Sequence, residues 1–166
     1  MLLSRTAIKL AGGLALFAAL TLQGGVQRQP LPRFPLFTGV GLPITSDRLP
    51  HKGPWLLVYV EPYCRKCASI LQELRKEEAG PHLNDQVVVI VGHTQPRDLR
   101  PFKRQYPRIA DSQWFADPRG QALKALQLKA VPAVFGVDER DQMEWVLVGA
   151  LANTNNLDSI LKTWRR

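Results

Sequence analysis

Two stretches of this chain, Trp55–Val60 (WLLVYV) and 87–91 (VVVIV), are apolar at every position. A strand with one face in water alternates apolar and polar residues. An unbroken run of β-branched and aromatic residues therefore marks a strand covered on both faces. Strands of that kind need helices above and below the sheet, which restricts the chain to an α/β architecture. The remaining sequence supplies those helices. Pro62-Tyr63 breaks the first run, and beyond Cys64 the residues Cys67, Leu71 and Leu74 recur at i, i+4 and i+7 with Ile70 beside them. That is the apolar stripe of a helix, which Gly80-Pro81 stops. Residues 96–106 read as a helical crossover kinked or split by Pro101. Trp114-Phe115 reads as a short strand, and Asp117-Pro118 as an N-cap with proline at the first helical position, opening RGQALKALQL. Residues 133–137 and 144–149 pair as a hairpin around the charged turn 138–142, and Leu157, Ile160, Leu161 and Trp164 lie on one face of a closing helix. The expected fold is α/β, a central mixed sheet with helices on both faces.

A length of 166 residues gives one domain, and 45% hydrophobic with 22% charged residues is a globular balance. Disordered, collagen-like and multi-pass membrane classes are excluded. The 22 basic residues exceed the 14 acidic ones, for a formal charge of +8. Four of the basic residues (Arg5, Lys9, Arg28, Arg33) precede the first acid, Asp47, so the excess over the rest is modest. No Lys/Arg run interleaves with aromatics, and nucleic acid is not an expected partner. Two cysteines build neither a disulfide framework nor a four-cysteine zinc site.

Ahead of the domain, the short basic region 1–9 leads into the uncharged segment 10–27. Its apolar heart, LAGGLALFAALTL, has 13 residues and the whole uncharged stretch 18, against the roughly 20 that a spanning helix wants. Gly12-Gly13 and Gly24-Gly25 argue against a buried core helix. No good pair of small residues follows at cleavage spacing, so an uncleaved signal-anchor is preferred over a cleaved signal peptide. Arg5 and Lys9 hold the N-terminus in the cytoplasm, which sends the domain outward. The expected location is a single-pass inner-membrane protein with its domain on the periplasmic side, or a soluble periplasmic protein if the segment is cleaved. Residues 28–46 hold four prolines and read as an extended spacer, with the folded domain at 47–166 or its first strand from 36.

The chemistry is concentrated in Cys64-Arg65-Lys66-Cys67. Two cysteines separated by two residues at a helix start can close a small disulfide ring. A helix N-terminus carries about half a positive charge, which favours a thiolate at Cys64, and Arg65 and Lys66 add to it. A low-pKa Cys64 attacks well and leaves well, and the more inward Cys67 resolves the mixed disulfide. Metal-binding pairs share this spacing, but a preceding strand, a following helix and no second pair favour redox use.

At these residues the chain resembles the thioredoxin superfamily. The resemblance is carried by LLVYVEPYCRKC, by Ala130-Val131-Pro132-Ala133-Val134-Phe135 and by Gly149. The segment 116–151 is similar to the second half of the TlpA/ResA type, which are membrane-anchored extracytoplasmic thiol-disulfide oxidoreductases. The resemblance covers roughly 36–166. It implies a thioredoxin-like fold, Cys64 as nucleophile and Cys67 as resolving cysteine. It also implies a cis Val131-Pro132 bond facing the disulfide, with Val131 offering backbone hydrogen bonds to a substrate strand and Tyr63 shaping the groove. Protein thiols and disulfides are the implied partners, with a membrane electron donor to restore the dithiol. No cofactor is implied, and no dimer seam argues against a monomer.

Three departures accompany the likeness. Tyr63 stands where tryptophan is usual, and Arg65-Lys66 stand where Gly-Pro is usual. Val58 occupies the position of a buried aspartate that assists proton transfer in thioredoxins. Glu61 is the nearest carboxylate in sequence and the candidate substitute. Because Arg65 and Lys66 stabilise the reduced form, a disulfide-donating oxidant stands as the alternative to a reductase. His93, after the second buried strand, would complete a soft Cu(I) site with Cys64 and Cys67, which is a second alternative, though a plain loop residue is the simpler reading. His51 and His82 read as surface residues, and Trp114 and Trp164 as core. Arg97, Arg100, Lys103 and Arg104 gather on the crossover, where a solvated helix face is preferred to a patch for an acidic partner.

Overall fold

The computed structural model describes residues 28–74, 86–107, 109–110, 113–149 and 151–164. The uncharged N-terminal segment, His82 and the Gly80-Pro81 helix stop lie outside them, as does the side chain of Trp164. Among the described residues no helix is long and apolar enough to cross a membrane.

Eight strands form one sheet: β1 (Gln29–Pro30), β2 (Pro35–Thr38), β3 (Pro43–Thr45), β4 (Trp55–Val60), β5 (Val87–Gly92), β6 (Trp114–Asp117), β7 (Ala133–Val137) and β8 (Gln142–Val148). Their order across the sheet is β1-β8-β7-β4-β5-β6-β2-β3. The two wholly apolar runs are the central pair β4 and β5, parallel and in register from Leu56 opposite Val87 to Val60 opposite Val91. β6 continues the parallel block, while β7-β8-β1 on one side and β2-β3 on the other run antiparallel. The mixed sheet expected from the sequence is therefore present.

The pleat divides these runs between two cores. Leu56, Val58, Val60, Val87, Val89 and Val91 pack on one face with Ile70, Leu71 and Leu74 of α1 (Arg65–Leu74) and Leu157 and Leu161 of α4 (Thr154–Trp164). Trp55, Leu57, Tyr59, Val88 and Ile90 pack on the other face against Phe34, Leu36 and Ala122 of α3 (Gln121–Ala125). Each fully buried Val, Leu or Ile is worth about 1.5–3 kcal/mol relative to its exposed form, so neither face can be turned to water.

Three sequence expectations are corrected. Residues 28–46 are not a free spacer: they contribute β1 at one edge of the sheet and the β2–β3 hairpin at the other. Their prolines sit at strand ends and edges, where the missing N–H costs no ladder bond. The helix after Asp117 begins at Gln121, not at Pro118, because Gly120 adopts the left-handed conformation (φ 63°) and turns the chain first. Asp117 still caps that helix, from a position further back. Lastly, His51 is not a surface residue; its ring stacks on buried Trp55 at 4.8 Å and its Nε2 lies 3.2 Å from Asp141.

The helical crossover is divided just before Pro101, as the sequence suggested. A 3-10 turn, Pro96–Leu99, passes directly into α2 (Arg100–Gln105), and Pro101 sits in the first turn of α2, where its lack of an N–H is harmless. Phe102 and Tyr106 lie against the ring of Trp114, centroids 6.5 and 6.2 Å away, which fixes the crossover to the α1 face of the sheet.

Candidate functional site: a disulfide at a helix N-terminus

β4 delivers the site. After Val60 the segment Glu61-Pro62-Tyr63 leaves the sheet, with Tyr63 in the left-handed region (φ 62°) and fully exposed. The turn places Cys64 at the N-cap of α1: its carbonyl accepts the N–H of Ala68 at 3.2 Å. Cys64 and Cys67 form a disulfide with Cα atoms 5.2 Å apart. The backbone N–H of Cys67 donates to Cys64 Sγ at 3.2 Å. One of the amides left without a helical partner at this terminus is therefore aimed at the outer sulfur, the arrangement that stabilises a thiolate there. Cys64 is half-buried, and Cys67 is 2% exposed within the α1-face core. Cys64 is thus the accessible sulfur and Cys67 the covered one.

A cleft of about 270 Å³ opens beside the disulfide, lined by Glu61, Tyr63, Cys64 and Arg65 on one side and by Phe102 of α2 and Tyr106 at its C-cap on the other. Sequence reading missed the α2 wall. Its signal was the spacing of Phe102, Gln105 and Tyr106, one stripe of a short helix. Arg65 and Lys66 are exposed on the first turn of α1, so their charge reaches the sulfurs from the solvent side.

Val58 is fully buried in the same apolar cluster as Cys67, so the sheet offers the inner sulfur no carboxylate at that position. Glu61 is the acid of the cleft. Its Oε1 lies 3.1 Å from Nδ1 of His93, a residue at φ 51° just past β5. With the carboxylate ionised, this contact is one in which an Nδ1–H of His93 donates to Glu61. His93 is further held by its backbone N–H, which donates to the Asp117 carbonyl at 2.9 Å. A Cβ on Gly120 would come within 3.0 Å of His93 Nε2, so that glycine leaves room for the ring. His93 thus supports Glu61. Among the described residues, no three of His, Cys, Asp and Glu converge on a point able to hold a metal ion.

The peptide bond Val131-Pro132 is cis, as expected. The register that sets Tyr59 opposite Ala133 puts Val131 and Pro132 at the end of the sheet where Glu61 and Cys64 emerge. Pro132 is buried and its carbonyl accepts the N–H of Gly149 at 2.8 Å, while Val131 is half-buried.

Behind the site, Asp117 is 1% exposed and its carboxylate accepts four hydrogen bonds. They come from the N–H groups of Gln121, Ala122 and Leu123 at 2.7, 3.0 and 3.4 Å and from the Tyr59 hydroxyl at 3.2 Å. Burial, then the neighbouring Asp117 charge, pushes the Tyr59 phenol well above its ordinary value. Gly92 is required here, since a Cβ would run into the Tyr59 hydroxyl and ring.

No protein-family model and no curated protein matches the chain. Solved structures do. A secreted disulfide oxidoreductase of Mycobacterium tuberculosis, described as homologous to E. coli DsbE, has a TM-score of 0.61 at 17% identity over 78% of this chain and 95% of its own. A thio-disulfide isomerase of Thermus thermophilus gives 0.56 at 22% over 81% and 94%. An exposed lipoprotein thioredoxin of Streptococcus pneumoniae gives 0.51 at 20% over 79% and 98%. Likeness at this identity speaks for the backbone: the chain has the thioredoxin-like fold, and carries a C-x-x-C disulfide at the N-terminus of its first helix.

Proposed function

We propose that this chain is an extracytoplasmic thiol-disulfide oxidoreductase that reduces disulfides in client proteins. The observation that carries the thiol-disulfide chemistry is the Cys67 N–H on Cys64 Sγ, which prepares the outer sulfur to ionise. In the reduced protein the Cys64 thiolate attacks one sulfur of a client disulfide. A mixed disulfide forms, the client S–S bond breaks and one client thiolate leaves. Cys67 then loses its proton to Glu61 and attacks Cys64 Sγ. The Cys64–Cys67 bond forms and the second client thiolate departs. The client gains two electrons and this protein loses them, so no cofactor is needed. A membrane dithiol donor restores the starting state.

Val131 would offer its backbone to the client strand beside Pro132, and Tyr63 would flank it. The location rests on the uncharged segment 10–27 and on the secreted and exposed-lipoprotein character of two structural neighbours.

A second reading, the disulfide-donating oxidant, is favoured by the same Cys67 N–H, because whatever stabilises the thiolate stabilises the reduced form. One titration in glutathione buffers separates the two, with Cys64→Ser as control. A potential near about −270 mV establishes the reductant and one near about −120 mV the oxidant. Failure to form the disulfide at all overturns both.

A further inference from the structure

Helix α2 is a ridge between two clefts. Its inner face, Phe102 and Tyr106, walls the disulfide cleft. Its outer face carries Arg100, Lys103 and Arg104, which with Arg97 from the preceding 3-10 turn line a second cleft of about 600 Å³ that reaches Gly39 of the β2–β3 hairpin. Arg97, Arg100 and Arg104 are exposed, and Lys103 lies over Gly39, with its Nζ 2.7 Å from where a Cβ would stand. Within residues 96–107 Asp98 is the one acid in the sequence, and it lies 3.9 Å from Arg97, with both side chains largely exposed.

Cations three and four residues apart on one helix face repel each other. The solvated-face reading explains their exposure but not their convergence on a cleft. Arg65 lines the disulfide cleft on the other side of the ridge and adds a further positive charge beside Cys64. A client chain whose disulfide sits over Cys64 and whose flank crosses α2 meets this positive outer face, where negative charge is favoured.

We propose that the cleft outside α2 is a docking site for an acidic segment of the client protein, flanking the disulfide that Cys64 attacks. The inference rests on the oxidoreductase reading and names the client class for it. Charge complementarity steers encounter and adds to the second-order rate, with a dependence on salt.

The test uses the full chain, reduced, and two synthetic disulfide-linked peptides that differ only in the segment next to the cysteine, one Asp/Glu-rich and one Ser/Gln-rich. Exchange is followed by loss of quenching when the peptide disulfide opens. At low ionic strength the acidic peptide should react about tenfold faster or more, and the advantage should collapse in high salt. The triple variant Arg97→Gln/Arg100→Gln/Arg104→Gln, all exposed positions, should lose the advantage and keep the wild-type rate toward the Ser/Gln peptide. An equal rate for the two peptides, or an advantage that survives the triple variant, overturns the docking site while leaving the oxidoreductase reading standing. No exchange with either peptide fails that reading, and the docking site with it. Sedimentation with vesicles containing anionic phosphatidylglycerol that depends on the three arginines, without a peptide preference, assigns the patch to lipid and also overturns the proposal.

Discussion

Asp117 holds together the end of the sheet on which the candidate site is built, and its removal should be unusually costly for a residue outside the hydrophobic core. In Asp117→Ala the N–H groups of Gln121, Ala122 and Leu123 lose their cap. Loss of such a cap costs about 1 kcal/mol, within a range of about 0.5–2. The Tyr59 hydroxyl, on a side chain with no exposed surface, loses its one side-chain partner among the described residues. A buried unpaired hydroxyl adds about 1–3 kcal/mol. The sum is about 3 kcal/mol, or about 10 °C in Tm for a domain of this size. The assay is urea unfolding of the wild type, Asp117→Ala, Tyr59→Phe and the double variant, followed by tryptophan fluorescence. Tyr59→Phe alone should cost about 1 kcal/mol, since Asp117 keeps its backbone donors. In the double variant no hydroxyl is stranded, so the two effects should fall short of additivity by about 1–2 kcal/mol. Loss of less than about 1 kcal/mol in Asp117→Ala, or additivity within about 0.5 kcal/mol, would refute the assignment of Asp117 as a shared cap and hydroxyl acceptor.

The same pair gives a pH dependence. Because the folded protein holds the Tyr59 phenol protonated, stability from this group is intact below about pH 10 and is lost above it, where only the unfolded chain releases the proton. The slope approaches about 1.4 kcal/mol per pH unit, and urea midpoints between pH 9 and 11 should fall less steeply in Tyr59→Phe. At the disulfide, Arg65→Glu/Lys66→Glu should lower the reduction potential by about 10–30 mV, read in glutathione buffers at low salt; an unchanged value means the helix amide alone sets the potential. Glu61→Gln should slow release of the mixed disulfide about tenfold or more while leaving the first attack by Cys64 unaffected, seen as an accumulating protein–client adduct on non-reducing gels. His93→Ala should reproduce part of that defect if the imidazole positions Glu61, and equal resolution rates in all three proteins would remove the pair from the reaction.

The sequence determined what local pattern can encode. WLLVYV and VVVIV had to be strands covered on both faces, and they are the central parallel pair with alternate residues in two cores. The spacing of Cys64 and Cys67, between such a strand and an amphipathic stripe, determined a disulfide at a helix start with one sulfur outside and one inside. Leu157 and Leu161 likewise face the core as their period requires. The tertiary structure decided what depends on which distant segments become neighbours. Residues 28–46 look like a spacer because edge strands are short and tolerate proline, and only the strand order shows them at both edges of the sheet. Asp117 reads as an ordinary cap until β4 brings the Tyr59 hydroxyl to it across 58 positions. Glu61 and His93 meet because β4 and β5 end side by side, and the crossover turns α2 into a wall for two clefts. Periodicity records how each residue meets solvent, whereas these contacts follow from strand order and crossover, which no short window of sequence contains.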